Sequence, residues 1–420
     1  MTTRSYKTAR GFVFSEPVLL LLLLAASAEA IREMSPSALL WAAPCLLLSA
    51  VLIAWAAESA QFFIAQGFAL AILAWLQTLP EFAIEAVIAW HQQTHFMLAN
   101  LTGALRMLTG LGWPMIYFAA ASVHRRRTHT PLREIILEES HCVEVVGLIP
   151  PMLYMLFVFI KGSLTLYDAV ILILIYVAYL ILLTKLPPEE PEGIEHLERI
   201  PRAIVLAPRL RRIILITLFF LVGGALVWFT ADPFLGSLLG LATWVGIPSF
   251  VFIQWVAPIV SEFPELTSTF YWARTVTRAP MALMNVVSSN VNQWTLLTAM
   301  LPILYSVSRG TMSSLVFDDR QKLELLMTIA QAAVGMLFLI NMQLAWWEAT
   351  VLFILWITQF IFSAVLPDEK GVASLWNNVH WYITLAYFVW VALEIIRLIR
   401  GTRKPLAFVE FARVWRAHVR

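Results

Sequence analysis

Two stretches decide the fold: Gln77-Thr78-Leu79-Pro80-Glu81 and Ser261-Glu262-Phe263-Pro264-Glu265. Each sets a Pro-Glu pair deep inside a long apolar run, at roughly 61–90 and 238–273. Each is followed by an asparagine-led stretch, Asn100-Leu101-Thr102-Gly103-Ala104 in the first case and Asn285-Val286-Val287-Ser288-Ser289 in the second. Glu81 and Glu265 are 184 residues apart, and Asn100 and Asn285 are 185 apart. Two motifs at one near-constant offset mark an internal repeat.

The rest of the chain says what surrounds the repeat. Of 420 residues, 60% are hydrophobic and only 13% charged, and the mean hydropathy is +0.77. A soluble domain carries about twice that share of charge. An ordinary soluble enzyme, a nucleic-acid binder and a disordered chain are excluded. The expected class is an all-α polytopic membrane protein. A net charge of +2 says nothing about partners, and Cys45 and Cys142 form neither a disulfide framework nor a metal-ligand spacing.

A membrane-crossing helix needs about 20 mostly apolar residues. About twelve segments qualify: 12–31, 38–57, 61–90, 96–122, 142–161, 163–184, 210–231, 238–273, 281–307, 322–344, 347–366 and 375–399. The first follows Arg4, Lys7 and Arg10 and ends near Ala28-Glu29-Ala30, which also reads as a signal peptide. A retained helix is the preferred reading. With an inside N-terminus, 22 of the 29 Lys and Arg fall in inside segments and six outside, which places both termini in the cytoplasm. Pro187-Pro188-Glu189-Glu190-Pro191-Glu192 opens the one sizeable loop. The expected organisation is an extra helix at 1–36, a first repeat at 37–184, a cytoplasmic linker at 185–209, a second repeat at 210–367, and an extra helix with a basic tail at 368–420. On this layout 61–90 and 238–273 run in opposite directions, so the repeats are inverted. Inverted repeats with proline-interrupted helices are the architecture of secondary transporters, whose site lies between the repeats.

At these residues the chain resembles the cation/calcium antiporter superfamily, near its sodium/calcium exchanger branch. That family carries two inverted repeats, each with a G-T-S-x-P-E and a G-N-x-x-G-S-N stretch. Thr78, Pro80, Glu81, Asn100 and Gly103 match in the first repeat, and Pro264, Glu265, Asn285, Ser289 and Asn290 in the second. The resemblance covers about 60–121 and 240–307. It implies a five-plus-five inverted helix fold on spans two to eleven, with one extra helix at each end. Leu76-Gln77-Thr78 and Val260-Ser261-Glu262 depart from G-T-S, and the family's later ion-binding polar position falls on Leu108 and Gln293.

The residues themselves point to cation chemistry. A carboxylate at the bilayer centre costs about 2.5–3.5 kcal/mol on insertion scales, and two together repel. A cation or a proton between Glu81 and Glu265 relieves both costs. Calcium takes six to eight hard oxygen ligands. A proline inside a helix frees the carbonyl one turn earlier, so oxygens near Gln77 and Ser261 are expected to help. Glu85 follows Glu81 by one turn, and Glu262 precedes Glu265 by three residues, so each repeat stacks two carboxyls on one face. Four close carboxyls cannot all be ionised around one divalent ion, which favours proton coupling.

Thr78, Ser289, Asn285 and Gln293 supply neutral oxygens. Arg106 is placed to pair Glu85 or Glu262 as a tethered counter-charge, with snorkelling to the interface as the other reading. The full candidate cation site is Glu81, Glu265, Glu262, Thr78, Gln77, Ser261, Glu85, Ser289, Asn285 and Gln293, with Glu81 and Glu265 as the metal-binding pair.

No phosphate-binding glycine loop argues for an ATP-driven pump, and no nucleophile with a histidine base argues for an enzyme. The expected function is a secondary antiporter of a bacterial-type inner membrane, exporting Ca²⁺ against H⁺ or Na⁺, with no cofactor beyond its transported ion. A monovalent cation/H⁺ antiporter and a non-transporting scaffold or sensor that keeps the fold remain open alternatives.

Overall fold

The computed structural model describes residues 33–63, 78–186, 197, 199–365 and 373–419. The expected first helix at 12–31, Gln77 and most of the proline-rich linker lie outside the described residues. The first repeat runs α1 (Leu39–Ala60), α2 (Leu79–Trp90), α3 (Thr94–Met107), a π-turn at Leu108–Gly112, α4 (Trp113–Thr128), β1 (Glu134–Ile136), α5 (Cys142–Gly147), α6 (Ile149–Lys161), β2 (Ser163–Leu164) and α7 (Leu166–Lys185). A short α8 (Arg199–Val205) precedes the second repeat. That repeat runs α9 (Arg209–Val245), α10 (Ser249–Ser261), α11 (Phe263–Ala273), α12 (Ala279–Asn292), a π-turn at Gln293–Leu297, α13 (Thr298–Arg309), β3 (Leu315–Val316), α14 (Asp319–Leu339), β4 (Gln343–Ala345) and α15 (Trp346–Val365). Then follow α16 (Ala373–Ile399) and α17 (Leu406–Val414). Among the described residues seven helical stretches are long and apolar enough to cross a membrane: Pro36–Ala60, Glu139–Lys161, Leu166–Lys185, Arg209–Val245, Asp319–Leu339, Trp346–Ser363 and Val379–Ile399.

The expected spans 210–231 and 238–273 divide elsewhere. Helix α9 continues through Asp232-Pro233 and stops at Gly246, whose φ of +74° makes a left-handed cap with its N–H on Ala242 O at 2.9 Å. An interior proline forfeits one hydrogen bond and kinks a helix, whereas a left-handed glycine ends it. The Asp232 carboxylate is held by His91 Nε2 at 2.9 Å. The Pro-Glu motifs also differ from expectation. Among the described residues Pro80 and Pro264 sit in the first turn of α2 and α11 rather than inside a helix. Their missing N–H groups cost nothing there.

Two small β-pairs prove the inversion. Strand β1 pairs antiparallel with β4, and β2 with β3. Helix α6 carries the chain from the β1 end to the β2 end. Helix α14 carries it from β3 back to β4. The two equivalent helices therefore run in opposite directions, which parallel repeats could not satisfy. The π-turns at Leu108 and Gln293 again differ by 185. Asn290 Nδ2 reaches Leu105 O at 3.4 Å, so two positions separated by that offset touch on the pseudo-two-fold axis.

Helices α3 and α10 cross so closely that a Cβ on Gly103 would lie 1.9 Å from the Gln254 carbonyl oxygen. Next to this crossing, Arg106 is fully buried. It pairs neither Glu85 nor Glu262 and does not snorkel. Its Nη1 lies 2.5 Å from Glu324 Oε2 on α14, its Nε donates to Thr102 O at 3.0 Å, and its guanidinium stacks 5.3 Å from the Trp255 ring. The side chain points away from the Pro-Glu motifs because α3 turns that face toward α10 and α14. Glu324 was invisible to the repeat comparison because it lies outside both motifs.

Gly103→Ala is expected to force α3 and α10 apart and cost about 1–3 kcal/mol, read as a drop in thermal unfolding temperature. Gly224→Ala, where a Cβ meets nothing within 4 Å, is the neutral control. Arg106→Met alone strands a buried carboxylate and should cost about 3–5 kcal/mol, while Arg106→Met with Glu324→Met should recover most of it. A double variant no more stable than the single one would refute the pairing.

Candidate cation site

The two half-helix starts share one backbone geometry. Thr78 precedes α2 with φ −89° and ψ 0°, and Glu262 precedes α11 with φ −87° and ψ −7°. The same turn in both repeats sends Glu81 and Glu265 into the first turn of their helices. Thr78, Glu81, Glu85, Ser261, Glu262, Glu265, Ser289 and Gln293 are all buried.

The two repeats meet at their carboxyls. Glu81 and Glu262 lie within hydrogen-bonding reach of each other, with Glu85 and Glu265 close enough to act on Glu81 electrostatically. Gln293 Nε2 donates to Glu262 Oε1 at 3.0 Å. Asn285 Nδ2 donates to Glu265 Oε1 at 3.3 Å, and the Ser289 side chain bonds the same carboxyl. Asn100 Nδ2 donates to Glu85 Oε1 at 2.9 Å. Ser261 lines the end of α10 and turns its hydroxyl back to Pro258 O at 3.4 Å.

Asn292 was missed by the repeat comparison. Its Nδ2 donates to Thr78 Oγ1 at 2.9 Å and ties the second repeat to the first at the turn. The 185 offset places it opposite the apolar Met107, so it has no twin to reveal it; its one signal is adjacency to Gln293.

Donors and acceptors do not balance. Both oxygens of Glu81, Glu85 Oε2, and the side-chain oxygens of Asn100, Asn290, Asn292 and Gln293 have no hydrogen-bond donor among the described residues. Asn100 and Gln293 spend their amide N–H groups on carboxyls, Asn290 and Asn292 spend theirs on Leu105 O and Thr78 Oγ1, and the amide oxygens are left over. A buried surplus of oxygen acceptors is what a hard cation or protons would satisfy. Among the described residues no three His, Cys, Asp or Glu side chains converge tightly enough to hold a metal ion. A divalent ion would need amide oxygens, hydroxyls or water to complete its shell. That is the character of a site that must release what it binds.

Solved structures resemble this one. An H⁺/Ca²⁺ exchanger, CAX, matches with a TM-score of 0.79 and 28% identity over 98% of this chain and 99% of its own. The native YfkE structure matches with a TM-score of 0.56 and 15% identity over 83% of this chain and 97% of its own; at that identity the likeness is one of fold. A search of curated proteins finds no sequence match. The family described as sodium/calcium exchanger protein matches residues 34–185 and 215–365, both repeats and most of the chain. That match over both repeats makes this chain a member of the sodium/calcium exchanger family and an integral, multi-pass membrane protein.

Proposed function

We propose that the chain is a secondary-active antiporter, not an enzyme, that exports Ca²⁺ in exchange for H⁺ by alternating access. The observation that carries this reading is the burial of Glu81 and Glu262 at the seam of the two repeats, where Asn292 Nδ2 of the second donates to Thr78 Oγ1 of the first at 2.9 Å and neither Glu81 oxygen has a donor among the described residues. Buried carboxyls of the two repeats brought together must take up either a proton or a cation, because the fully ionised, empty cluster is strongly repulsive. Proton and cation therefore exclude one another at one place, which is the physical content of exchange. Glu81, Glu262 and Glu265 carry the charge, and Thr78, Ser261, Asn285, Ser289 and Gln293 supply neutral oxygens. Glu85 has its own partner in Asn100 and tunes the field. Leu108 stands at the polar ion-binding position that the family resemblance implies, which speaks for H⁺ over Na⁺. The H⁺/Ca²⁺ exchange named for CAX supports the same choice.

The halves at 37–184 and 210–367 move against each other about the shared site. The chain sits in a bacterial-type inner membrane with both termini in the cytoplasm, a placement supported by the inside excess of Lys and Arg. One observation favours a second reading, monovalent cation/H⁺ exchange: among the described residues no three acidic side chains converge tightly enough to hold a metal ion, and a singly charged ion needs fewer.

The test is ⁴⁵Ca²⁺ uptake into proteoliposomes under an imposed pH gradient and, separately, a Na⁺ gradient. Uptake should follow the pH gradient and fall to background in Glu265→Gln. Apparent Ca²⁺ affinity should weaken as pH falls, because protons compete for the same carboxyls. Uptake driven only by Na⁺, or affinity independent of pH, would overturn proton coupling. Absent Ca²⁺ uptake with intact ²²Na⁺ or ⁸⁶Rb⁺ exchange would select the second reading.

A further inference from the structure

A second set of buried ionisable groups lies apart from the carboxyl cluster, and the helix beyond the repeats completes it. Glu324 on α14 and His380 on α16 are both fully buried. Glu324 Oε2 is well supplied: Arg106 Nη1 stands 2.5 Å away and Gln254 Nε2 donates at 2.8 Å. Glu324 Oε1 receives no hydrogen bond. It faces His380 Nε2 at 3.4 Å, and that nitrogen is also 3.2 Å from Ser363 Oγ. We propose that His380 and Glu324 form a second, proton-binding site, distinct from the carboxyl cluster and assembled only where the C-terminal helix docks on the repeats.

The atoms define two states. With Nε2 bare, it accepts the Ser363 hydroxyl proton and Glu324 Oε1 is unsatisfied. When water delivers a proton, an N–H bond forms at Nε2, the Ser363 hydroxyl turns away, and the new donor serves Oε1. The set then passes from balanced Arg106 and Glu324 charges to one net positive charge. The other charged and titratable groups around the pair are Arg320 on α14, which acts on Glu324, and Tyr387 on α16, which feels Arg106. Helices α10 and α15 contribute only the neutral Gln254, Gln359 and Ser363.

A file of buried polar side chains marks the way in. His380, Thr384 and Tyr387 recur at helical spacing on α16, and Gln359 and Ser363 lie one turn apart on α15. All are buried, yet the Tyr387 hydroxyl, both amide atoms of Gln359 and Gln331 Oε1 find no partner among the described residues. Buried polar groups left so require ordered water. The file leads along α16 toward Glu394, which Arg397 and Arg403 hold at 2.8 and 2.7 Å, and the Arg397 side chain is 45% exposed.

The test reads the proton directly and needs no transport, so it stands whether or not the carboxyl cluster carries Ca²⁺. The full chain, ¹⁵N-labelled at histidine and held in lipid nanodiscs, is followed by NMR from about pH 5 to about pH 9. The His380 signal is the one lost in His380→Gln. It should convert reversibly between neutral and imidazolium forms, and the midpoint should shift by about one pH unit or more in Arg106→Met with Glu324→Met. The same titration should persist in Glu265→Gln. A neutral ring with one fixed tautomer across the range would overturn the proposal, as would a titration indifferent to the loss of Glu324. Abolition by Glu265→Gln would overturn its independence from the carboxyl cluster. Should His380→Gln fail to fold, assignment by paramagnetic relaxation from a spin label on α16 keeps the measurement decisive.

Discussion

A carboxylate inside a membrane protein has no bulk water to hold its charge, and this constraint organises the molecule. Glu81, Glu85, Glu262 and Glu265 are buried together, and each must find a donor, a proton or a cation. Asn100, Asn285, Ser289 and Gln293 are positioned as donors to three of them. Glu81 is left with none among the described residues and meets Glu262 instead. The helix starts at Thr78 and Glu262, the inverted repeat that faces them toward each other, and the close α3–α10 crossing at Gly103 hold that group of carboxyls together.

The molecule treats its other buried charges in the opposite way. Arg106 and Glu324 are matched one to one, and Gln254 adds a further donor. Near the chain's end Arg403 is buried between Glu348 and Glu394, at 2.5 and 2.7 Å, and also bonds Asn341 Oδ1 at 2.9 Å. Such charge-matched pairs fix how helices sit, since losing one partner is far costlier than never having had the pair. Thus α14, α15 and α16 are locked to each other and, through Arg106, to the first repeat. Unbalanced acceptors mark the candidate cation site; charge-matched pairs mark the frame around it. His380 lies between the two cases, with one Glu324 oxygen unsatisfied in front of it.

The motifs were legible because inverted duplication prints the same chemistry twice. Glu81 with Glu265 and Asn100 with Asn285 announce each other at one offset, and the π-turns observed at Leu108 and Gln293 obey it as well. Residues that break the symmetry were not legible in that way. Asn292 faces an apolar twin, Met107. Glu324 and His380 belong to helices outside the motifs, and their partners are 218 and 56 residues away in sequence, at Arg106 and Glu324 respectively. The proline effect differs from expectation for a related reason: a Pro-Glu pair within an apolar run is compatible with a kink or with a helix start, and only the backbone turns at Thr78 and Glu262 show that each pair opens a helix.

By itself the sequence determined the membrane environment, the all-α class and the duplication, and it singled out the carboxyls that the fold buries. Each follows from local composition or from self-comparison, and neither needs knowledge of what touches what. The tertiary structure alone decided which helix face Arg106 presents, which asparagine bridges the repeats, and where a 37-residue α9 ends. It also decided that one face of the helix after the repeats carries a buried ionic set. The physical reason is that pairing energy in a low-dielectric interior depends on distances of a few ångströms between residues far apart in the chain. Hydropathy reports only that a segment is buried in something; the fold decides whether that something is lipid, a carboxylate or another helix.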